Sequence, residues 1–119
     1  MNNVGQIKFS AAPYSIASAV SGAVALDASI SSVHIATFAA DNISALTITG
    51  ATPGQEITLI LTQDSVGSRT LTLGTGITNA TGATITPTTT GNTGKSVYKF
   101  ICTSVGTPSN CQLVSVLRS

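Results

Sequence analysis

The chain has 119 residues, enough for one domain with a modest core. Only 8% of its residues are charged, against about 25% in ordinary soluble domains, and the formal net charge is +1. The basic residues are scattered, which argues against a nucleic-acid partner, and no apolar run is long enough to span a bilayer, so we expect no membrane partner either.

The first 22 residues show no regular hydrophobic period, because large apolar side chains stand alone among Ser, Ala and Pro. This pattern predicts an extended N-terminal arm, residues 1–22, ahead of a domain formed by residues 23–119. An ordered arm needs a surface to lie on, since fixing each residue costs about 1–2 kcal/mol of backbone entropy. That surface is either the arm's own domain or a neighbouring subunit. The candidate subunit contacts in the arm are Ile7, Phe9, Tyr14 and Ile16.

A signal-peptide interpretation of the same region is less favoured. Residues 23–25, Ala-Val-Ala, fit a small-x-small cleavage site, but Ser, Gly and Pro interrupt the apolar stretch before it.

From residue 23 onward, short β-prone runs alternate with turn-forming residues. Short strands at this spacing predict an all-β fold with little helix, as an antiparallel β-sandwich or a jelly-roll-like domain. The predicted strands cover residues 23–26, 33–38, 43–49, 57–63, 69–73, 83–85, 97–102 and 112–117.

The strongest local pattern predicts a β-hairpin. In the first run, apolar residues alternate with Thr, although Ile60 breaks the polar face and indicates that both faces are at least partly covered. A polar turn sequence, Gln-Asp-Ser-Val-Gly-Ser, separates this run from a second alternating one. Asp64 and Arg69 flank that turn and are placed to form an exposed ion pair, worth at most about 1 kcal/mol. The residues predicted to point into the core are Ile57, Leu59, Leu61 and Leu71.

This segment also resembles part of a known group of proteins. Residues 54–72 have the pattern G-x-x-I-T-L-x-L-T-Q-D-x-x-G-S-R-T-L-T, which resembles a segment of bacteriophage virion proteins. Proteins with such segments include tail-fibre domains, head fibres and small capsid-decorating subunits, which are β-rich and often trimeric. The Asp-Gly turn and the Trp-containing last strand into which such segments often continue are both missing from this chain.

The sequence offers little acid–base or metal chemistry. His34 is the single histidine, and its position in a predicted strand is typical of a structural residue rather than of a general base. The carboxylates are dispersed, and no nucleophile elbow, phosphate loop or metal-ligand spacing is present. We therefore expect no enzyme activity, no catalytic residue, no cofactor and no metal site.

Cys102 and Cys111 flank the loop between the last two predicted strands and are candidates for a disulfide. Such a bond would add about 2–4 kcal/mol of stability. Two reduced thiols are the alternative, because phage particles assemble in a reducing cytoplasm.

The resemblance and the low-charge composition together imply a structural virion protein. The leading hypothesis is a capsid decoration (cement) subunit that stabilises the head by binding the outer surface of the major capsid protein. This implies assembly in the host cytoplasm, a final location on the capsid surface and, from the resemblance, a homotrimer. Decoration depends on contact area and symmetry rather than on a catalytic pocket. Two alternatives stay open: a tail- or head-fibre domain that binds a host receptor or glycan, and a secreted adhesin or pilus subunit.

Overall fold

The computed structural model describes residues 13–16, 19–85 and 94–118. These residues contain no helix, and hence none long and apolar enough to cross a bilayer. Their strands form one curled, mixed sheet, and the prediction of an all-β fold is confirmed. The eight strands are β1 (Tyr14–Ser15), β2 (Val20–Asp27), β3 (Val33–Thr49), β4 (Glu56–Thr62), β5 (Leu71–Leu73), β6 (Thr84–Ile85), β7 (Lys95–Cys102) and β8 (Cys111–Arg118).

Strand β3 organises the sheet. Its first half pairs with β1 and β4, its second half pairs with β2 and β5, and all four pairings are parallel. Antiparallel pairing joins β4 to β7, β7 to β8, and β5 to β6. The prediction of an antiparallel arrangement is therefore wrong for every pairing that β3 makes, and the described strands belong to one continuous sheet rather than to two stacked ones.

The ends of β3 lie close together because the strand is strongly curled. A straight strand of 17 residues would span roughly 55 Å at about 3.3 Å per residue. Ala28, just after β2, donates its N–H to the carbonyl of Thr49 at the end of β3 (2.8 Å). Ser32, just before β3, accepts from the N–H of Thr58 (2.8 Å). Gln55 joins these two places, because its Nε2 donates to the Ala28 carbonyl (3.1 Å) and to the Ser32 hydroxyl (2.9 Å).

The chain therefore runs as a coil. The segments β1–β2, β3 and β4–β5 lie side by side as three successive parallel turns of that coil, and β7, β8 and β6 extend the sheet beyond the third turn.

The predicted hairpin is wrong. β4 and β5 do not pair with each other; they lie beside successive halves of β3, with Ile60 opposite Ile35 and Leu71 opposite Ile43. The chain leaves the sheet after β4, makes a loop and rejoins β3 in the same direction. Turn-forming residues mark where a strand is interrupted, and they carry no information on whether the chain then reverses.

The two strands predicted at residues 33–38 and 43–49 are one strand. The Asp41-Asn42 pair, whose residue types are typical of turns, lies within β3 where the strand passes from one half of the sheet to the other. The register of β2 against β3 shifts between Val20 and Gly22, beside this bend. Strands commonly turn such corners through bulges of this kind.

The core lies on the inner face of the coil. The four residues predicted to point into it are at most 1% exposed, which confirms the alternation derived from the sequence. The buried apolar cluster consists of Leu26, Ala28, Ala36, Phe38, Ile43, Leu46, Ile48, Ala51, Ile57, Leu59, Leu61, Leu71, Leu73, Ile77, Tyr98, Phe100, Cys102 and Cys111.

Most of the predicted arm, including Ile7 and Phe9, lies outside the described residues. Tyr14 and Ile16 are described, and they lie beside β3 of the same chain. Strand β2 begins at Val20, so the predicted boundary between arm and domain falls within a strand.

Candidate interaction surface

The two cysteines lie opposite each other on β7 and β8, and their sulfur atoms are bonded. Both residues are fully buried. The bond closes residues 103–110, which we call the cap loop. This loop packs on the end of β3: Ser109 donates its N–H to the Ile48 carbonyl (2.7 Å), and its hydroxyl accepts from the Ala51 N–H (3.1 Å). The disulfide thus holds the cap loop against the coil.

The titratable side chains are dispersed rather than gathered in a site. Within the described ranges, no three His, Cys, Asp or Glu residues lie close enough together to hold a metal ion. The carboxylate of Asp27 caps the turn that follows β2, since it accepts hydrogen bonds from the Ser29 hydroxyl (2.6 Å) and the Ser29 N–H (3.0 Å). These bonds lower the pKa of Asp27 below its usual value.

A second surface feature is the loop between β4 and β5, residues 63–70, which we call the clamped loop. The buried Gln63 side chain closes its base, because its Nε2 donates to the Arg69 carbonyl (2.9 Å) and its Oε1 accepts from the Arg69 N–H (3.1 Å). Asp64 fixes the interior of the loop by accepting from the N–H groups of Val66 (3.2 Å) and Gly67 (2.8 Å). The loop is therefore held by its own hydrogen bonds, and it presents Val66, which is 73% exposed.

The ion pair predicted across this loop is present, with Arg69 Nε 2.9 Å from Asp64 Oδ2. Partial burial raises the pKa of Asp64, but hydrogen bonds from Gly67 and Arg69 outweigh it, and the pKa lies below the ordinary value. A carboxyl group whose pKa is lowered by folding stabilises the fold above the unfolded pKa of 3.8 and loses that contribution as the pH falls further. The clamp is consequently intact at neutral pH.

The outer face of the sheet carries a row of apolar side chains. Ile35 lies opposite Ile60, Ile60 opposite Val97, and Val97 opposite Leu117, so the row crosses β3, β4, β7 and β8. The first three residues are half-buried, and Leu117 is 67% exposed. We call these four residues the outer row.

The outer row has uncharged or basic neighbours on both sides. Thr58, Lys99 and Ser115 form the next row in one direction, and Thr62 and Lys95 lie in the other. A face with few charges loses little hydration energy when a partner covers it.

One residue in the sequence indicated that this face of the sheet carries apolar side chains. Ile60 interrupts the polar positions of β4, and the structure shows that it belongs to the outer row. The row itself was not predicted, because it depends on the register between strands that lie far apart in the sequence.

Comparison of the chain with protein-family models, with curated proteins and with solved structures found no match. Its function is therefore inferred from its own surfaces and from the resemblance of residues 54–72.

Proposed function

We propose that the protein is a structural, non-catalytic subunit of a bacteriophage virion, which decorates the capsid by binding the outer surface of the major capsid protein. The outer row is the observation that carries this proposal. It places an apolar strip on a hydrogen-bonded sheet whose neighbouring positions are occupied by Thr, Ser and Lys, and by Val33 at the β3 end of one row. Such a face suits a static contact with another protein surface.

The resemblance to virion proteins supports the same interpretation. Residues 54–72 include β4, which lies between β3 and β7 in the sheet, and the clamped loop that follows it. The quoted pattern therefore coincides with a structural unit, and several of its polar residues have structural tasks. Gln63, Asp64 and Arg69 form the clamp described above.

The size of the outer row implies weak binding by a single subunit. Full burial of an exposed Leu side chain contributes about 1.5–3 kcal/mol, and side chains that are already half-buried contribute less. Stable binding to a particle would then require several copies of the outer row to bind at the same time. A homotrimer that engages three equivalent sites would gain affinity by multivalency, and a trimer is therefore part of the proposal.

The test is binding of the purified protein to phage heads that lack it, measured by co-sedimentation. The informative variant is Leu117→Lys, which places a charge at the exposed end of the outer row. Its matched control is Val105→Lys in the cap loop, because Val105 is 68% exposed. Circular dichroism should show that both variants fold.

We expect saturable binding by the wild type, at least tenfold weaker binding by Leu117→Lys, and binding by Val105→Lys within about twofold of the wild type. Absence of wild-type binding would refute decoration. Equal loss in both variants would refute the outer row as the contact.

A tail- or head-fibre domain is the second candidate, and the parallel coil favours it. Among the described residues, β1 and β2 each pair only with β3, so the first turn of the coil has an unpaired edge. Coiled β-structures can extend by adding further turns at such an edge. Electron microscopy of particles labelled with antibody against this chain separates the two candidates, since label on a fibre rather than on the shell would support the second.

A further inference from the structure

His34 is a buried histidine with one unsatisfied nitrogen. Its Nε2 lies 2.9 Å from the carbonyl oxygen of Ser31. A carbonyl can only accept, so in the neutral ring Nε2 carries the hydrogen and Nδ1 is left with a lone pair. Nδ1 is inaccessible to solvent and makes no hydrogen bond of good geometry within the described residues, although the Asp27 backbone carbonyl favours a proton on the ring. A second proton on this ring would thus enter a buried position, where support from the backbone and carboxylate of Asp27 does not offset the cost of burying the charge.

Elements from all three turns of the coil meet at His34. Tyr14 of β1 packs its ring edge against the imidazole, with ring centroids 5.8 Å apart and an interplanar angle of 75°. Ser31 belongs to the turn between β2 and β3, and Leu59 of β4 lies opposite His34 on the other side. The titratable groups that face His34 are Tyr14 on β1 and Asp27 at the end of β2, and Tyr98 of β7 follows Leu59 in the same row.

We propose that His34 is an acid-sensitive latch on the first turn of the coil: a proton gained at Nδ1 loosens β1 and the turn that precedes β3. Strand β1 is the element most exposed to this effect, because it has only two residues. It is held to β3 by its parallel pairing, by the Tyr14–His34 ring contact, and by the N–H of Ile16, which donates to the Ile35 carbonyl (2.9 Å). A charge gained by the His34 ring acts directly on one of these contacts, the Tyr14–His34 ring contact.

The direction of the pH effect follows from the environment of His34. Burial lowers its pKa below the ordinary value of 6.5, and the Ser31 carbonyl and Asp27 only partly oppose this change. The folded chain therefore disfavours the proton that the unfolded chain accepts. The contribution of neutral His34 to stability is complete above pH 6.5 and is lost progressively as the pH falls below that value.

The effect of His34 is expected in the range between pH 7 and pH 5. His34 is the only histidine of the chain, and the lowered pKa values of Asp27 and Asp64 place their effects below pH 3.8. A change between pH 7 and pH 5 is attributed to His34 where substitution of His34 abolishes it.

The test is amide hydrogen exchange followed by NMR at pH 7 and pH 5, with rates corrected for the intrinsic pH dependence of exchange. The reporting amide is that of Ile16. The internal reference is the amide of Gly74, which donates to the Leu46 carbonyl (2.8 Å) in the second half of the sheet. We expect the protection of Ile16 to fall at least tenfold at pH 5, while that of Gly74 stays within about twofold.

The variant His34→Leu removes the titratable group, and His34→Gln is the alternative should the leucine variant not fold. In either variant we expect the protection of Ile16 to be independent of pH over this range. In the wild type, the loss should begin below pH 6.5 and level off once the ring signals show that His34 is protonated in the folded chain. The proposal is overturned if wild-type Ile16 protection does not depend on pH, if the loss continues after the His34 ring is fully protonated, or if a folded variant shows the same loss.

Discussion

The side chain of Gln63 forms the two hydrogen bonds that a neighbouring strand would otherwise make with the backbone of Arg69. Its amide satisfies both the carbonyl and the N–H of Arg69, as a paired strand would, and thereby closes the base of the clamped loop. Its own N–H donates to the Gly94 carbonyl (2.9 Å), so the residue also links the loop to the chain just before β7. A buried polar side chain with this many bonds fixes the local backbone strongly.

Replacing Gln63 with Ala should destabilise the protein by about 1–3 kcal/mol, because both backbone groups of Arg69 lose their partner. Urea unfolding followed by circular dichroism measures this change. Ser65→Ala is the matched control in the same loop, since Ser65 is exposed, and a surface substitution of this kind stays within about 0.5 kcal/mol. If both variants are equally stable, Gln63 does not act as a clamp.

For individual residues, the sequence predicted which side chains are buried better than it predicted which hydrogen bonds they form. The positions of Leu59 and Leu71 were correct because a period of two follows directly from strand geometry. Gln63 was assigned to the end of a strand and to the start of the turn that follows it. Its bonds to Arg69 depend on how residues 63–70 fold back, and no local periodicity encodes that.

At the scale of elements, most strand positions were predictable and the pairing of the strands was not. Residues with high β-propensity identify β4, β7 and β8 within a few positions. Parallel pairing of β4 and β5 with β3 depends on the curl of β3, which brings its ends together. The rule that closely spaced β-runs form antiparallel hairpins fails here, because the chain rejoins the same neighbouring strand after each interruption.

The two faces of β4 should respond differently to truncation. Leu59 is 1% exposed on the inner face, and its replacement with Ala should cost about 2–5 kcal/mol of stability. Ile60→Ala, one residue away on the half-buried outer face, should cost clearly less. Denaturant unfolding of the two variants checks the assignment, and a larger loss for Ile60→Ala would invert the faces.

The disulfide should matter most for the cap loop. Replacing both Cys102 and Cys111 with Ala should lower the free energy of unfolding by about 2–4 kcal/mol under oxidising conditions, mainly by freeing the unfolded chain. Limited proteolysis should then cut within residues 103–110 faster than in the wild type. Adding a reductant should reproduce the effect in the wild type and change nothing in the double variant. Identical proteolysis of both proteins would show that the bond does not secure the loop.

At the scale of the molecule, the coil explains how a chain with few aromatic residues can form a core. Aromatic residues make up 4% of the sequence, and the interior is filled mainly by Leu, Ile and Ala from adjacent turns. No single turn could bury its apolar face alone, and each turn is covered by the turn that lies beside it. A low aromatic content by itself indicates a core of small aliphatic residues. The coil depends on contacts between residues such as Ala28 and Thr49, which no local sequence pattern connects.

Two deletions at the N-terminus distinguish residues that stabilise the coil from residues that are candidate partner contacts. Removing residues 2–12 takes away Ile7 and Phe9 and leaves β1 in place, whereas removing residues 2–19 also takes away Tyr14 and Ile16. We expect both proteins to fold, with all-β circular dichroism spectra. The longer deletion should be less stable than the shorter one by about 1–3 kcal/mol, because the Ile35 carbonyl loses the Ile16 N–H and His34 loses its ring contact.

Particle binding by the shorter deletion then decides which surface makes the proposed contact with the capsid. If the arm contributes the contact, co-sedimentation of the protein lacking residues 2–12 should be at least tenfold weaker than that of the full chain, although β1 and the outer row are intact. Binding at full strength would eliminate Ile7 and Phe9 as contacts. Sensitivity to Leu117→Lys within that shortened chain would then leave the outer row as the contact that remains.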